Sequence, residues 1–383
     1  MNSVLFFVRR FVVVFLVTGG TLLSVSSVVA QEEPTKGQDI SHGTTLVPNI
    51  QKNYSDGRPD AKFRLGAIDA GRLLRHGDGP DDCDINGMRE ASVIEHDGTY
   101  YLYYDGCAAK GWIFCLATSR DLVNWAHHGP KLTLGTPEED DSGAACAPWF
   151  IQENDTWHMF YFSCRQASAS PDLIPMTPYT LSKARGTSPE GPWEKQKDVV
   201  PFRPQPGTYN ADTACPGFIV KHEKEYLMFY SAATWRGPSF LRTLAIARTG
   251  DLNGAWQVDP EPIVPLEEQI ENSSLYFEPT NQTWFLFTNH IGIDEQGVEY
   301  TDAIWVYWSK NIEHWNTDNK AVVLDGYNCI WSKKCIGMPS VIQHGDRLAL
   351  FYDAPGGESD SHMKRDLGLA WLQLPLVVPK PQP

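Results

Sequence analysis

No cluster of lysine and arginine occurs in this chain, and its 47 acidic side chains outnumber 32 basic ones for a formal charge of −15. That balance excludes a partner presenting a phosphate backbone, nucleic acid above all. Cys-x-x-Cys and His-Glu-x-x-His spacings are also missing, so nothing in the sequence assembles a zinc site. The body of the chain lacks helical periodicity, which sets aside helical and α/β classes. No apolar run approaches the ~20 residues that a spanning helix needs.

At the N-terminus, Arg9 and Arg10 precede an apolar stretch, Phe11 to Val17, and a small-residue end at Val28-Val29-Ala30. That is the pattern of a signal peptide over 1–30, with a membrane anchor as the competing reading. Residues 31–57 are expected to form a flexible leader, 58–376 one large β domain, and 377–383 a proline-rich tail. The expected destination is secreted or periplasmic, with no membrane contact after cleavage. All eight cysteines follow the signal, an even number suited to an oxidising compartment. Disulfides are expected, with the sequence neighbours Cys107–Cys115 and Cys329–Cys335 as first choices, although spacing does not fix connectivity.

Aromatic residues are abundant at 12%, including 13 tryptophans. One pattern organises many of them. The segments beginning "ASVIEHDGTYYLYYDG", "PWFIQENDTWHMFYFS", "PGFIVKHEKEYLMFYS", "SLYFEPTNQTWFLFTN" and "PSVIQHGDRLALFYDA" each show an apolar strand, a polar turn and a second aromatic-rich strand. Each copy therefore encodes a β-hairpin. A third strand and a turn with tryptophan follow the first four, aligning Trp125, Trp193, Trp256 and Trp315 as wedges between sheets. The fold class expected is all-β, a five-bladed β-propeller of antiparallel four-stranded blades, with a strand near Phe63 to Leu74 completing the last blade. A β-sandwich is the alternative, but it predicts no five-fold repeat of this length.

"REASVIEHDGTYYLYYDG" followed by "LATSRDLVNWAHHGPKL" resembles the first blade of glycoside hydrolase family 43 and its relatives, families 32, 62 and 130. The resemblance covers about residues 60–376 through the blade pattern. It implies that the first residues of each innermost strand line a central pocket. In such enzymes an Asp of the first blade is the base of an inverting hydrolysis, a second Asp tunes pKa, and a Glu is the acid. Arg-Glu-Ala-Ser-Val resembles the family's Arg-Asp-Pro-x-Val, which places Glu90 on the base position and Arg89 beside it. The alternative for Glu90 is a solvated strand-entry residue. Ala147-Pro148-Trp149 resembles Ala-Pro-Asp with Trp149 in place of the tuning carboxylate; Trp149 is either a sugar platform or a core residue. In the third blade the acid position falls on Ala214, leaving Asp212 as the nearest carboxylate, for catalysis or for a turn.

Glu271 in the fourth blade is the preferred proton donor, one residue out of register, a slip that a bulge would correct. Met338 stands where relatives place a histidine that helps hold a channel ion, so no cofactor or metal is expected and calcium is unsupported. Trp235, His290, His362 and Asp84 complete the expected sugar contacts. The histidines are more often surface loop residues than ligands, and Asp84 also reads as one member of the solvated acidic loop Asp78, Asp81, Asp82, Asp84.

The function expected from these residues is a glycosidase acting on an oligo- or polysaccharide through paired carboxylates. A carbohydrate-binding propeller without catalysis is the second reading, motivated by Trp149, Ala214 and Met338. A glycoside phosphorylase is the third. It would need an anion site, for which Arg89, Arg165, Arg236 and Arg242 are the candidates.

Overall fold

The structure, a computed structural model, describes residues 43–378 apart from 51, 53, 171, 295 and 296. The expected signal peptide and the leader up to residue 42 lie outside the described residues. Strands dominate, and the only helical turns among the described residues are the short Pro80–Asp82 and Leu266–Glu268. None is long and apolar enough to cross a membrane.

Each sequence repeat is a hairpin with a flanking third strand. In the first, His96 pairs with Thr99 across Asp97 and Gly98, both at positive φ, as a two-residue turn of the primed type requires. Antiparallel pairing then runs Met88–His96, Thr99–Ala108, Gly111–Ser119 and Ala126–Pro130 in unit one. Unit two runs Ala144–Glu153, Thr156–Cys164, Thr180–Gly186 and Glu194–Lys195. In unit three the innermost strand is split into Thr213–Cys215 and Ile219–His222, both paired with Glu225–Arg236, followed by Ser239–Thr249 and Gln257–Val258. Unit four comprises Ile270–Glu278, Thr283–Ile293, Glu299–Ser309 and Lys320–Asp325. Unit five comprises Gly337–His344, Arg347–Ala354 and Asp366–Gln373, and its fourth strand is Ile68–Leu74 from the start of the body.

The innermost strands share a bulge. Between Arg89 and Ser92, Cys146 and Trp149, Glu271 and Ser274, and Gly337 and Ser340, two residues oppose one on the neighbouring strand. The first bulged residue, Glu90, Ala147, Asn272 or Met338, takes positive φ and its N–H leaves the ladder. Each such N–H must then find an acceptor elsewhere. The second strand of the preceding unit supplies it. Glu90 N donates to Asp353 Oδ2 at 3.0 Å, Ala147 N to Asp105 Oδ1 at 2.8 Å, Asn272 N to Ser231 Oγ at 2.8 Å, and Met338 N to Asn289 Oδ1. Unit three is the informative exception. Cys215 pairs with Ser231 and Phe229 N bonds Phe218 O, so the first residue between them is Pro216. Proline has no N–H, and the position preceding it in unit two, opposite Cys146, is the apolar Phe162.

The repeated tryptophans point the same way round. Trp193 meets Tyr103 at 6.4 Å, Trp256 meets Phe160 at 5.4 Å, and Trp315 meets Phe229 at 6.2 Å, each edge-on to the second strand of the unit before. Trp125 of unit one meets Phe351 of unit five at 5.9 Å. Unit one therefore contacts unit five as each later unit contacts its predecessor.

Three expectations change. The described part of the 31–57 segment, expected to be a flexible leader, is docked instead: Leu46 is buried in the cluster around Phe285 and Leu350, and Val47–Pro48 pairs with Phe63–Arg64. Phe63–Arg64 in turn lies parallel to Lys320–Asp325, so the stretch expected to complete unit five is divided between units four and five. Polar composition concealed this docking because the anchoring hydrogen bonds are main-chain, Thr44 N to Gln373 O and Leu46 N to Val377 O. The expected disulfides are not formed, and all eight cysteines are free thiols. Cys107 pairs across the hairpin with Trp112 and Cys115 with Tyr104. Three residues of strand, about 10 Å, separate those positions, beyond disulfide reach. Cys329 Sγ lies 3.6 Å from Tyr352 Oη, whereas Cys335 Sγ accepts from Arg365 Nη2 at 3.0 Å.

Candidate active site

The bulges bring the leading residues of four innermost strands to one cavity of about 100 Å³. Arg89 and Glu90 enter from unit one, Thr213 and Cys215 from unit three, Glu271 and Asn272 from unit four, and Met338 from unit five. Unit two contributes Phe162 and Tyr179, stacked at 4.9 Å, as an apolar wall. Ser231, Arg242 and His362 complete the lining used below.

Two glutamates thus face one space in different electrostatic settings. Burial pushes the Glu90 carboxyl up to about 7; Arg89 opposes that rise, while Glu271 and Asp353 reinforce it. Asn272 hydrogen-bonds the Glu90 side chain, and Asn289 Nδ2 holds Asn272 Oδ1 at 3.2 Å. Glu271 Oε2 accepts from Arg242 Nη1 at 2.5 Å, and the other edge of that guanidinium grips Glu299 at 2.8 Å. Burial alone would lower Arg242, but the two glutamates hold it above its ordinary value. Arg89 Nη1 lies 3.2 Å from His362 Nδ1. Burial, then Arg89, Arg365 and Arg242, push His362 down to about 3, so its imidazole is neutral and accepts from Arg89.

Two further carboxylates support this constellation from beneath. Asp105 is buried opposite Arg89, and burial followed by the nearness of Glu90 holds it well above the usual carboxylate range. Asp353 gives one oxygen to Glu90 N and the other to Arg365 Nη1 at 2.7 Å, a pair with no solvent exposure on either side chain. Neither was singled out from the sequence. Their signal was nonetheless present, since the second strands of four repeats carry the polar residues Asp105, Ser231, Asn289 and Asp353 at one aligned position where that of unit two carries Phe162.

Of the residues expected to act, the structure brings together Glu90, Glu271, Arg89 and His362, together with Arg242 from the anion-site candidates. Others lie elsewhere. Trp149 is 8% exposed and packs edge-on to Phe218 at 6.0 Å in the core of units two and three, where its indole fills the position after the bulge. His290 is fully buried, stacked on Trp305 at 3.8 Å with Nδ1 3.0 Å from Asp302, so it cannot meet a sugar. Asp84 is also fully buried, accepting from Gly77 N, Gly79 N and Tyr104 Oη, and it ties the preceding loop to unit one. Asp212 is outside the cavity lining, and its Oδ2 accepts the Trp235 N–H at 3.3 Å, a local brace. Trp235 is 55% exposed and outside the cavity lining. Arg165 pairs with Asp140 and Arg236 with Glu267, away from the cavity. Among the described residues, no group of three or more His, Cys, Asp or Glu is arranged to hold a metal ion.

The glycosyl hydrolases family 32 N-terminal domain model matches residues 84–263. No curated protein sequence matches the chain. Among solved structures, the family 117 glycoside hydrolase Zg3597 of the marine bacterium Zobellia galactanivorans superposes with a TM-score of 0.57 at 15% identity, over 81% of this chain and 90% of that one. The catalytic domain of the Coprinopsis cinerea family 62 α-L-arabinofuranosidase gives 0.55 at 14%, over 80% and 96%. The Cellvibrio cellulosa α-L-arabinanase complexed with arabinohexaose gives 0.51 at 16%, over 75% and 94%. At such identities the likeness is one of fold.

Proposed function

We infer that this chain, a glycosidase of the five-bladed propeller glycoside hydrolase superfamily, cleaves a glycosidic bond of an oligo- or polysaccharide where Glu90 and Glu271 share a cavity. The observation that carries the reading is the contrast between those half-buried carboxyls: Glu90 is raised toward 7, whereas Glu271 is paired with Arg242. Glycoside cleavage needs such a contrast, an acid to protonate the leaving oxygen and a base to activate water. Glu90 is the acid and Glu271 the base, the reverse of the roles implied by the motif match. As the C–O bond breaks, the Glu90 proton passes to the leaving oxygen. Glu271 takes a proton from the water whose oxygen joins the anomeric carbon, giving inversion in one displacement. No cofactor enters this proton inventory.

Contacts between the units also support a closed ring. Five antiparallel units, a bulge amide of unit one held by Asp353 of unit five, and Trp125 against Phe351 favour five blades closed by the N-terminal strand Ile68–Leu74. Phosphorolysis would have to rely on Arg89, because Arg242, the other anion-site candidate in the cavity, is already shared by Glu271 and Glu299. Export of the mature protein rests on the 1–30 pattern. The mass of the mature N-terminus, expected at Gln31, tests it.

A panel of arabino-, xylo-, fructo- and galacto-oligosaccharides, screened for new reducing ends, tests the activity. Arabino-oligosaccharides come first because two of the similar structures are an arabinofuranosidase and an arabinanase. Glu90→Gln and Glu271→Gln are each expected to lower kcat by about 10³-fold or more. Turnover at the wild-type rate in either variant removes that residue from the mechanism.

A further inference from the structure

The hairpin formed by Glu225–Arg236 and Ser239–Thr249 runs out of the cavity. Ser231 and Arg242 both line that cavity. Side chains on a strand alternate, so Ala233 and Trp235 share the face of Ser231. Ala233 pairs with Arg242 and Trp235 with Phe240, which places all of them on one face. Trp235 and Phe240 are therefore the next same-face pair beyond Arg242, two residues or about 7 Å further out. Contact is continuous along this strip. The Arg242 guanidinium carbon lies 4.9 Å from the Phe240 ring centre, and Phe240 lies 4.8 Å from Trp235 with 39° between the rings.

Trp235 is 55% exposed, and its main chain is braced by Asp212. A large aromatic left open beside a polar cavity is the form that a sugar platform takes. One face of a sugar ring carries mostly C–H groups that settle on an indole, while its hydroxyls stay directed to water and polar neighbours.

We propose that Trp235 and Phe240 form a distal sugar subsite, continuous with the cavity, which takes a residue of a linear oligosaccharide beyond the cleaved bond and selects chains over short glycosides. This rests on the reading of the cavity as a glycosidase site, and the test separates the two. Disaccharides through hexasaccharides of the four series above are compared by the ratio of kcat/KM for the longest to the shortest. Wild-type protein favours the longer chain, and Trp235→Ala reduces the ratio about tenfold, the equivalent of ~1.4 kcal/mol. Trp235→Phe, which keeps a ring at the same place, retains most of it. If no member of the panel is cleaved, the ratio of dissociation constants measured by calorimetry replaces it. Loss of that ratio in Trp235→Ala sustains the subsite while the hydrolytic reading fails. A wild-type protein indifferent to chain length, or an unchanged ratio in Trp235→Ala, overturns the proposal.

Discussion

Glu90→Gln separates the electrostatic cost of this residue from its chemistry. The carboxyl has an ordinary value of 4.5 and is raised to about 7 in the fold, chiefly by burial. Between those values the folded protein binds a proton that the unfolded chain has released, so stability is lost as pH rises through the interval. A rise of roughly 2.5 units at 1.36 kcal/mol each amounts to about 3 kcal/mol. Gln has the same shape and no charge to desolvate. The variant is therefore expected to match wild type near pH 4 and to exceed it by up to about 3 kcal/mol at pH 8, while losing turnover. Urea unfolding at a series of pH values measures the gap directly. Two curves that run parallel from pH 4 to 8 would refute the account of Glu90 as a carboxyl held neutral by burial. Replacement of a functional residue that stabilises the fold is the general mark of a site strained for its task.

The same protonation fixes the activity profile: kcat/KM should fall as pH rises through about 7, because the proton donor is lost, whereas a base at Glu90 would give a fall on the acid side. Asp353→Ala removes the acceptor of the Glu90 N–H and leaves Arg365 buried without its partner, so unfolding free energy should drop by about 3–5 kcal/mol. A loss below about 1 kcal/mol in denaturant melts would contradict that. Trp149→Ala should cost roughly 3–5 kcal/mol of stability and leave KM of the folded fraction unaltered, as expected of a core indole and not of a sugar platform.

Much of this arrangement was legible because it is local. Asp97-Gly98 sets a hairpin turn, alternating aromatics set the buried faces, and Trp125, Trp193, Trp256 and Trp315 recur at equivalent places that become wedges. Glu90 and Glu271 were found for the same reason, since the start of an innermost strand is a position in a repeat. The misplaced residues failed on what lies across from them. Nothing within ten residues of Trp149 announces Phe218, and nothing near His290 announces Trp305 and Asp302. Asp84 was counted with an acidic loop until two glycine amides and Tyr104 claimed it.

By itself, then, the sequence determined five hairpins, their faces and the two glutamates at the head of their strands, because strand periodicity and turn chemistry are written in adjacent residues. The tertiary structure alone decided that Asp353 would hold the amide of Glu90, that Arg242 would pair with Glu271, and that Trp149 would be core. Those outcomes depend on which unit stands beside which, and the partners lie up to 263 residues apart along the chain.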